Sequence, residues 1–265
     1  MSAEPHRTTT ALIWDGVEAT ADEVAALQPP WPTPRSIVVK ADVGHHHRAP
    51  QVIEHSDRCL RAGASAVHLH VRDEQDRDTG DLGLWREVVG ELRHRHPGVV
   101  IDSGLRGSTL DERLSHIREE LFDVIPLLPT WDPDYLARPL QEMREHGVRP
   151  ELCVWDGTDI AVAASGLIGR GLIDTPAMWL IVPSTPYYGL PMPSAPLMLR
   201  GALHLVELIQ AVDPGALISF SAAGRPSSYL TTVGTLLGHH VRPGIGETPW
   251  RWPHDSEPCD DPETL

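Results

Sequence analysis

From Ser36 onward, short β-branched runs alternate with longer amphipathic stretches, and this alternation limits the possible folds more than any other feature of the chain. Strand candidates fall at 36–43, 65–71, 98–103, 121–128, 150–156, 178–184, 216–222 and 239–245. Helical patterns fill 51–62, 82–95, 109–120, 133–146, 158–170, 196–211 and 227–237. Strands separated by helices pair in parallel, because each helix carries the chain back to the same end of the sheet. Eight strands and seven helices in 265 residues predict an α/β chain folded as a (β/α)8 TIM barrel, a fold of about 250 residues, rather than an open doubly wound sheet. The eighth helix is expected to be truncated or replaced, because the residues after the last strand, "TPWRWPHDSEPCDDPETL", are rich in proline and acid. The expected organisation is an N-terminal extension over 1–35, a catalytic barrel over 36–250 and an acidic, proline-rich tail over 251–265. Within the extension, Thr20 and Glu23 suggest the capped start of a short helix near 20–28.

A net charge of −15 removes the electrostatic driving force for nucleic acid or an anionic membrane, while leaving room for a local basic pocket around an acidic substrate. Cys59, Cys153 and Cys259 are far apart and form no C-x-x-C. That spacing argues against a disulfide framework or a zinc knuckle. No stretch approaches the ~20 apolar residues of a membrane span. The expectation is a soluble, cytoplasmic protein.

The stretch "AVHLHVRD" (66–73) sets His68, His70 and Arg72 against Val67, Leu69 and Val71 with a period of two. On a barrel strand the apolar set faces the helices and the polar set faces the axis. The same parity points Lys40 and Asp42 inward, with Ile37, Val39 and Val43 outward. It also turns Ser219 and Ser221 inward against Ile218 and Phe220. Several polar groups thus converge, and leaving them unpaired would cost several kcal/mol.

Two imidazoles on one strand face can share one metal ion, and a catalytic zinc commonly takes three protein ligands. The bland alternative is a pair of core histidines bonded to carboxylates. His45, His46 and His47 follow the first strand, where one of them can add a third imidazole or simply face solvent. In "GHHVRPGIGE" (238–247), an inward Arg242 can clamp a carboxylate, and Glu247 can ligate a metal or move a proton. The alternative there is a structural ion pair from Arg242 to Asp42 or Glu151. Lys40, Arg72 and Ser221 are candidates for substrate contact, and Asp42 for proton transfer. No P-loop, nucleophile elbow or dinucleotide fingerprint is present.

Together "KADVG", "AGASAVHLHVRD", "PELCVWDGTDI" and "GHHVRPGIGE" resemble the β-keto acid cleavage enzyme family over roughly 36–250. The resemblance implies a zinc-dependent barrel, usually a homo-oligomer, that exchanges acyl groups between a β-keto acid and acetyl-CoA in a retro-Claisen sense. It casts His68 and His70 as metal ligands, Arg242 as the residue that orients substrate, and Ser103 as a catalytic serine. Where the family has R-x-G-[LF]-E-D, with glutamate on zinc and aspartate as base, this chain reads Arg242-Pro243-Gly244-Ile245-Gly246-Glu247. Glycine takes the ligand position and Glu247 the base position. The family's glutamate after the first strand has His46 as its nearest counterpart here. The implied shell is His68 and His70 with either His46 or Glu247, around Zn2+ or another first-row divalent ion. The expectation is metal-dependent carbon–carbon cleavage or acyl transfer on a small β-keto acid. Its rivals are a metal-dependent hydrolase and a non-catalytic barrel that binds a small carboxylic acid.

Overall fold

The computed structural model describes residues 12–14, 17–19, 36–44, 47–183 and 195–259. The chain divides into two units, Met1–Arg35 and Ser36–Leu265. In the first, β1 (Leu12–Trp14) and β2 (Val17–Ala19) pair antiparallel, with Trp14 opposite Val17. The sequence between them is Asp15-Gly16, a dipeptide that favours tight hairpins and was the available signal for this pair. The helix expected near 20–28 lies outside the described residues.

The second unit is a (β/α)8 barrel. Its strands are β3 (Lys40–Asp42), β4 (Ala66–His68), β5 (Val100–Asp102), β6 (Val124–Leu127), β7 (Arg149–Val154), β8 (Met178–Ile181), β9 (Leu217–Phe220) and β10 (His240–Val241). Each lies parallel to the next in chain order. A parallel bridge between Val39 and Val241 closes the ring, and the Asp42 N–H donates to Pro243 O at 2.8 Å across the same seam.

The helices are α1 (Ala49–Arg61), α2 (Leu82–Arg95), α3 (Leu110–Arg118), α4 (Pro133–Glu145), α5 (Gly157–Val162), α6 (Ala195–Val212) and α7 (Ser227–Leu236), with α5 running on into a π-helical turn, Ala163–Ile168. Their starts are written locally. Asp81 accepts the Leu84 N–H, Thr109 and Glu112 form a reciprocal capping box, and Asp156 and Asp159 form another. No helix follows β10 among the described residues. Instead the chain after Pro249 lies against Arg225, which donates to Pro253 O and Asp255 O and sits 4.2 Å above the Trp250 ring.

Val67, Leu69, Val71, Ile101 and Ile125 face the helical jacket and are wholly buried there among Trp85, Leu92 and Phe122. Each such aliphatic side chain contributes about 1.5–3 kcal/mol. That outer packing sets the phase of every strand, and so decides which side chains reach the axis. No described helix is long and apolar enough to cross a membrane.

Candidate active site

The floor of the site is a buried ion cluster. Asp102 on β5 stands level with His68 on β4, which stands level with Asp42 on β3. Lys40 donates to Asp102 Oδ2, and to Glu151 Oε2 at 2.6 Å, with both carboxylates fully buried. Burial works against the ammonium, but Asp102 and Glu151 outweigh it and hold the Lys40 pKa above its usual value. The other oxygen of Asp102 accepts the Nδ1–H of His68 at 2.8 Å.

That bond leaves the lone pair of His68 on Nε2, which lies 3.0 Å from Nε2 of His70. The rings meet edge to face with centroids 4.9 Å apart. On its far side, His70 Nδ1 lies 3.0 Å from Arg106 Nη2. A guanidinium only donates, so Nδ1 is the acceptor there, and a neutral His70 carries its hydrogen on Nε2. Arg106 also donates to Ser103 Oγ at 3.2 Å and to Asp78. Ser103 in turn donates to Leu69 O at 2.8 Å.

On the opposite wall, Arg242 donates through Nε to Glu247 Oε1 at 2.7 Å, with both side chains buried. Desolvation disfavours the guanidinium, but Glu247 and then Asp42 overcome it, and the Arg242 pKa is raised. Arg242 therefore pairs with Glu247 rather than with Asp42 or Glu151. Asp42 is 1% exposed and accepts the Gly44 N–H at 3.1 Å. Its main chain also accepts the Gly246 N–H at 3.2 Å.

Period-two parity places Lys40, Asp42, His68, Ser219 and Ser221 within the barrel, as expected, but it does not carry to Arg72. The regular ladder of β4 ends at His68, and Arg72 turns into the following loop, where its guanidinium donates to Asp76 O and its N–H to His47 O. Ser221 is wholly buried and donates to Arg242 O at 3.1 Å. Lys40 is committed to its two carboxylates beneath the imidazoles. His46 lies outside the described residues, and the His47 ring packs on His55 of α1 with centroids 4.4 Å apart. Asp102 and Arg106 are additions to the site. The parity of "GVVIDS" places Asp102 on the inner face, whereas Arg106 follows the strand in a loop, where no periodicity applies.

The implied metal can be tested against charge and donors. Among the described residues three cations, Lys40, Arg242 and the nearly buried Arg106, face four buried carboxylates, Asp42, Asp102, Glu151 and Glu247. The carboxylates outnumber the cations by one, and among the described residues Glu151 Oε1 accepts no hydrogen bond. Buried negative charge in excess is costly, and a bound cation would offset it. Among the described residues no three ligating side chains close round one point. His68 offers a lone pair on Nε2, with Asp102 behind it in the manner of a carboxylate that orients a metal-bound imidazole, and His70 would be the second donor once its hydrogen moves from Nε2.

The family profile described as beta-keto acid cleavage enzyme matches residues 47–258. The 3-keto-5-aminohexanoate cleavage enzyme of Fusobacterium nucleatum is 24% identical over 218 residues, 76% of each chain. The 3-dehydrocarnitine:acetyl-CoA trimethylamine transferase of Rhizobium meliloti is 25% identical over 230 residues, 74% of this chain and 73% of that one. Among solved structures, the complex of ObcA with oxaloacetate is similar with a TM-score of 0.63 at 20% identity. That match covers 76% of this chain and 57% of ObcA, so this chain spans little more than half the length of that protein. At such identity the likeness to ObcA shows the fold alone.

Proposed function

The chain belongs to the beta-keto acid cleavage enzyme family, and from that membership and the buried cluster we propose that it breaks a carbon–carbon bond of a small β-keto acid with a divalent metal at His68 and His70. The observation that carries this reading is the excess of buried negative charge beside the paired His68 and His70 imidazoles. Cleavage between the keto carbon and its neighbour requires an electrophile at the keto oxygen and a place for the charge of the departing enolate. The ion, when bound, would supply that electrophile.

The protein's own groups do the rest. Asp102 fixes the His68 ring through Nδ1–H, and Lys40 holds Asp102 and Glu151 in place. Glu247 occupies Nε and Nη2 of Arg242, which leaves Nη1 to meet the substrate carboxylate. In this reading Asp42 or Glu247 moves the proton at the carbon next to the keto group. Acetyl-CoA is proposed as the co-substrate: its acetyl group passes to the enolate carbon of the keto acid, and the CoA thiolate released in that step takes the acyl group, a reading supported by the relative named for acetyl-CoA. The proposal includes His46 as a third donor and a homo-oligomeric assembly, the latter checked by sedimentation.

The test is product analysis of metal-loaded protein with a panel of β-keto acids, with and without acetyl-CoA. Cleavage that disappears in His68→Ala and His70→Ala supports the reading. Absence of any cleavage that depends on these histidines overturns it.

A further inference from the structure

Arg106 stands just past the end of β5, and the reading above gives it no part in the reaction. Its side chain is only 11% exposed. It is held from two elements: Asp78 in the loop after β4 accepts from Nη1, and Ser103 after β5 accepts from Nε at 3.2 Å. The two loops meet backbone to backbone, since a Cβ on Gly80 would stand 2.8 Å from the Cα of Gly107. Glycine at position 80 lets the loops that carry Asp78 and Arg106 approach, and Arg106 Nη2 is aimed at His70 Nδ1, 3.0 Å away.

The chemical consequence lies on the other side of the ring. With Nδ1 taken by a donor, the hydrogen of neutral His70 sits on Nε2, the atom that faces His68 Nε2 at 3.0 Å. A nitrogen that carries hydrogen offers no lone pair to a metal, and the nearby guanidinium adds a positive charge in a partly desolvated place. Both effects oppose a cation at the pair.

We propose that Arg106 is a positioning residue that sets the tautomer of His70 and holds down the affinity of the His68–His70 pair for a divalent ion. This rests on the metal reading given above. Losing a group that supports a ligand from behind commonly costs about 10–100-fold in metal affinity; Arg106 opposes its ligand, so a change of that order is expected in the opposite sense.

The experiment titrates metal-stripped wild type, Arg106→Met, Arg106→Lys and Asp78→Asn with Zn2+ by calorimetry, and reads the histidine tautomers by long-range 1H–15N correlation. Arg106→Met is expected to bind about 10–100-fold tighter, with the hydrogen of His70 moved from Nε2 to Nδ1. Arg106→Lys keeps part of the wild-type behaviour. Asp78→Asn, which keeps the arginine but loosens its anchor, tightens binding by less and covers the case in which Arg106→Met does not fold. Unchanged or weaker binding in Arg106→Met and Asp78→Asn, with the tautomer unmoved, overturns the proposal while leaving the metal reading intact. Failure of wild type and every variant to take up Zn2+ overturns the metal reading and this proposal together.

Discussion

The carboxylate of Asp42 fills the space that a side chain at position 246 would need: a Cβ built on Gly246 would collide with Asp42 Oδ1. Gly244 lies against the same residue, with φ +145 and its own Cβ position overlapping the Asp42 main chain. The two glycines and the aspartate form one unit across the seam where the barrel closes.

Gly246→Ala is therefore expected to push Asp42 out of the site. The overpacking should cost about 1–3 kcal/mol, measured by urea unfolding, and turnover should fall far more than that loss of stability explains. A variant that folds, binds substrate and turns over like wild type would remove Asp42 from the mechanism.

His68→Gln and His70→Ala should each lower bound metal, measured by elemental analysis after dialysis, by at least tenfold in affinity. His68→Gln should also destabilise the protein, because Asp102 loses the hydrogen bond from Nδ1. Full metal content in both variants would place the ion elsewhere.

Lys40→Met leaves Asp102 and Glu151 buried without their cation. Breaking a buried pair in this way costs about 3–5 kcal/mol, read as a shift of the urea midpoint. The folded pKa of Lys40 is raised above 10.5, so the stabilisation is fully present below that value and is lost as pH rises through the folded pKa. The gap between wild type and variant should thus be constant from pH 7 to about pH 10 and narrow only above that. A gap that closes near neutral pH contradicts the charge assignment.

Glu247→Gln tests the opposite wall. Removing the charge leaves Arg242 with an uncompensated burial cost, and a loss of about 3 kcal/mol is expected. If Glu247 serves to aim Arg242, KM for the keto acid should rise while the response of kcat to pH keeps its shape. A pH profile that loses one limb would instead mark Glu247 as a proton carrier.

The period-two pattern of 66–71 determined from sequence alone that His68 faces the axis while Val67, Leu69 and Val71 face the helices, because a strand buried against helices admits apolar side chains on only one of its faces. The same logic made Lys40, Asp42 and Ser221 inner residues, and the alternation of runs was enough for eight parallel strands. Local signals likewise placed α2 at Leu82–Arg95, the span read from the sequence.

Tertiary structure alone decided who pairs with whom. Lys40 meets Asp102 and Glu151 across separations of 62 and 111 residues, and nothing in a local pattern encodes contacts that arise when a sheet closes on itself. Arg72 left the inner face because the ladder of β4 ended before it, and Arg106 entered the site from a loop, where direction depends on what the chain meets in space. Sequence periodicity sets which face a side chain occupies, since that follows from backbone geometry. Ring closure sets the distances between strands, and only those distances turn a row of polar residues into a site.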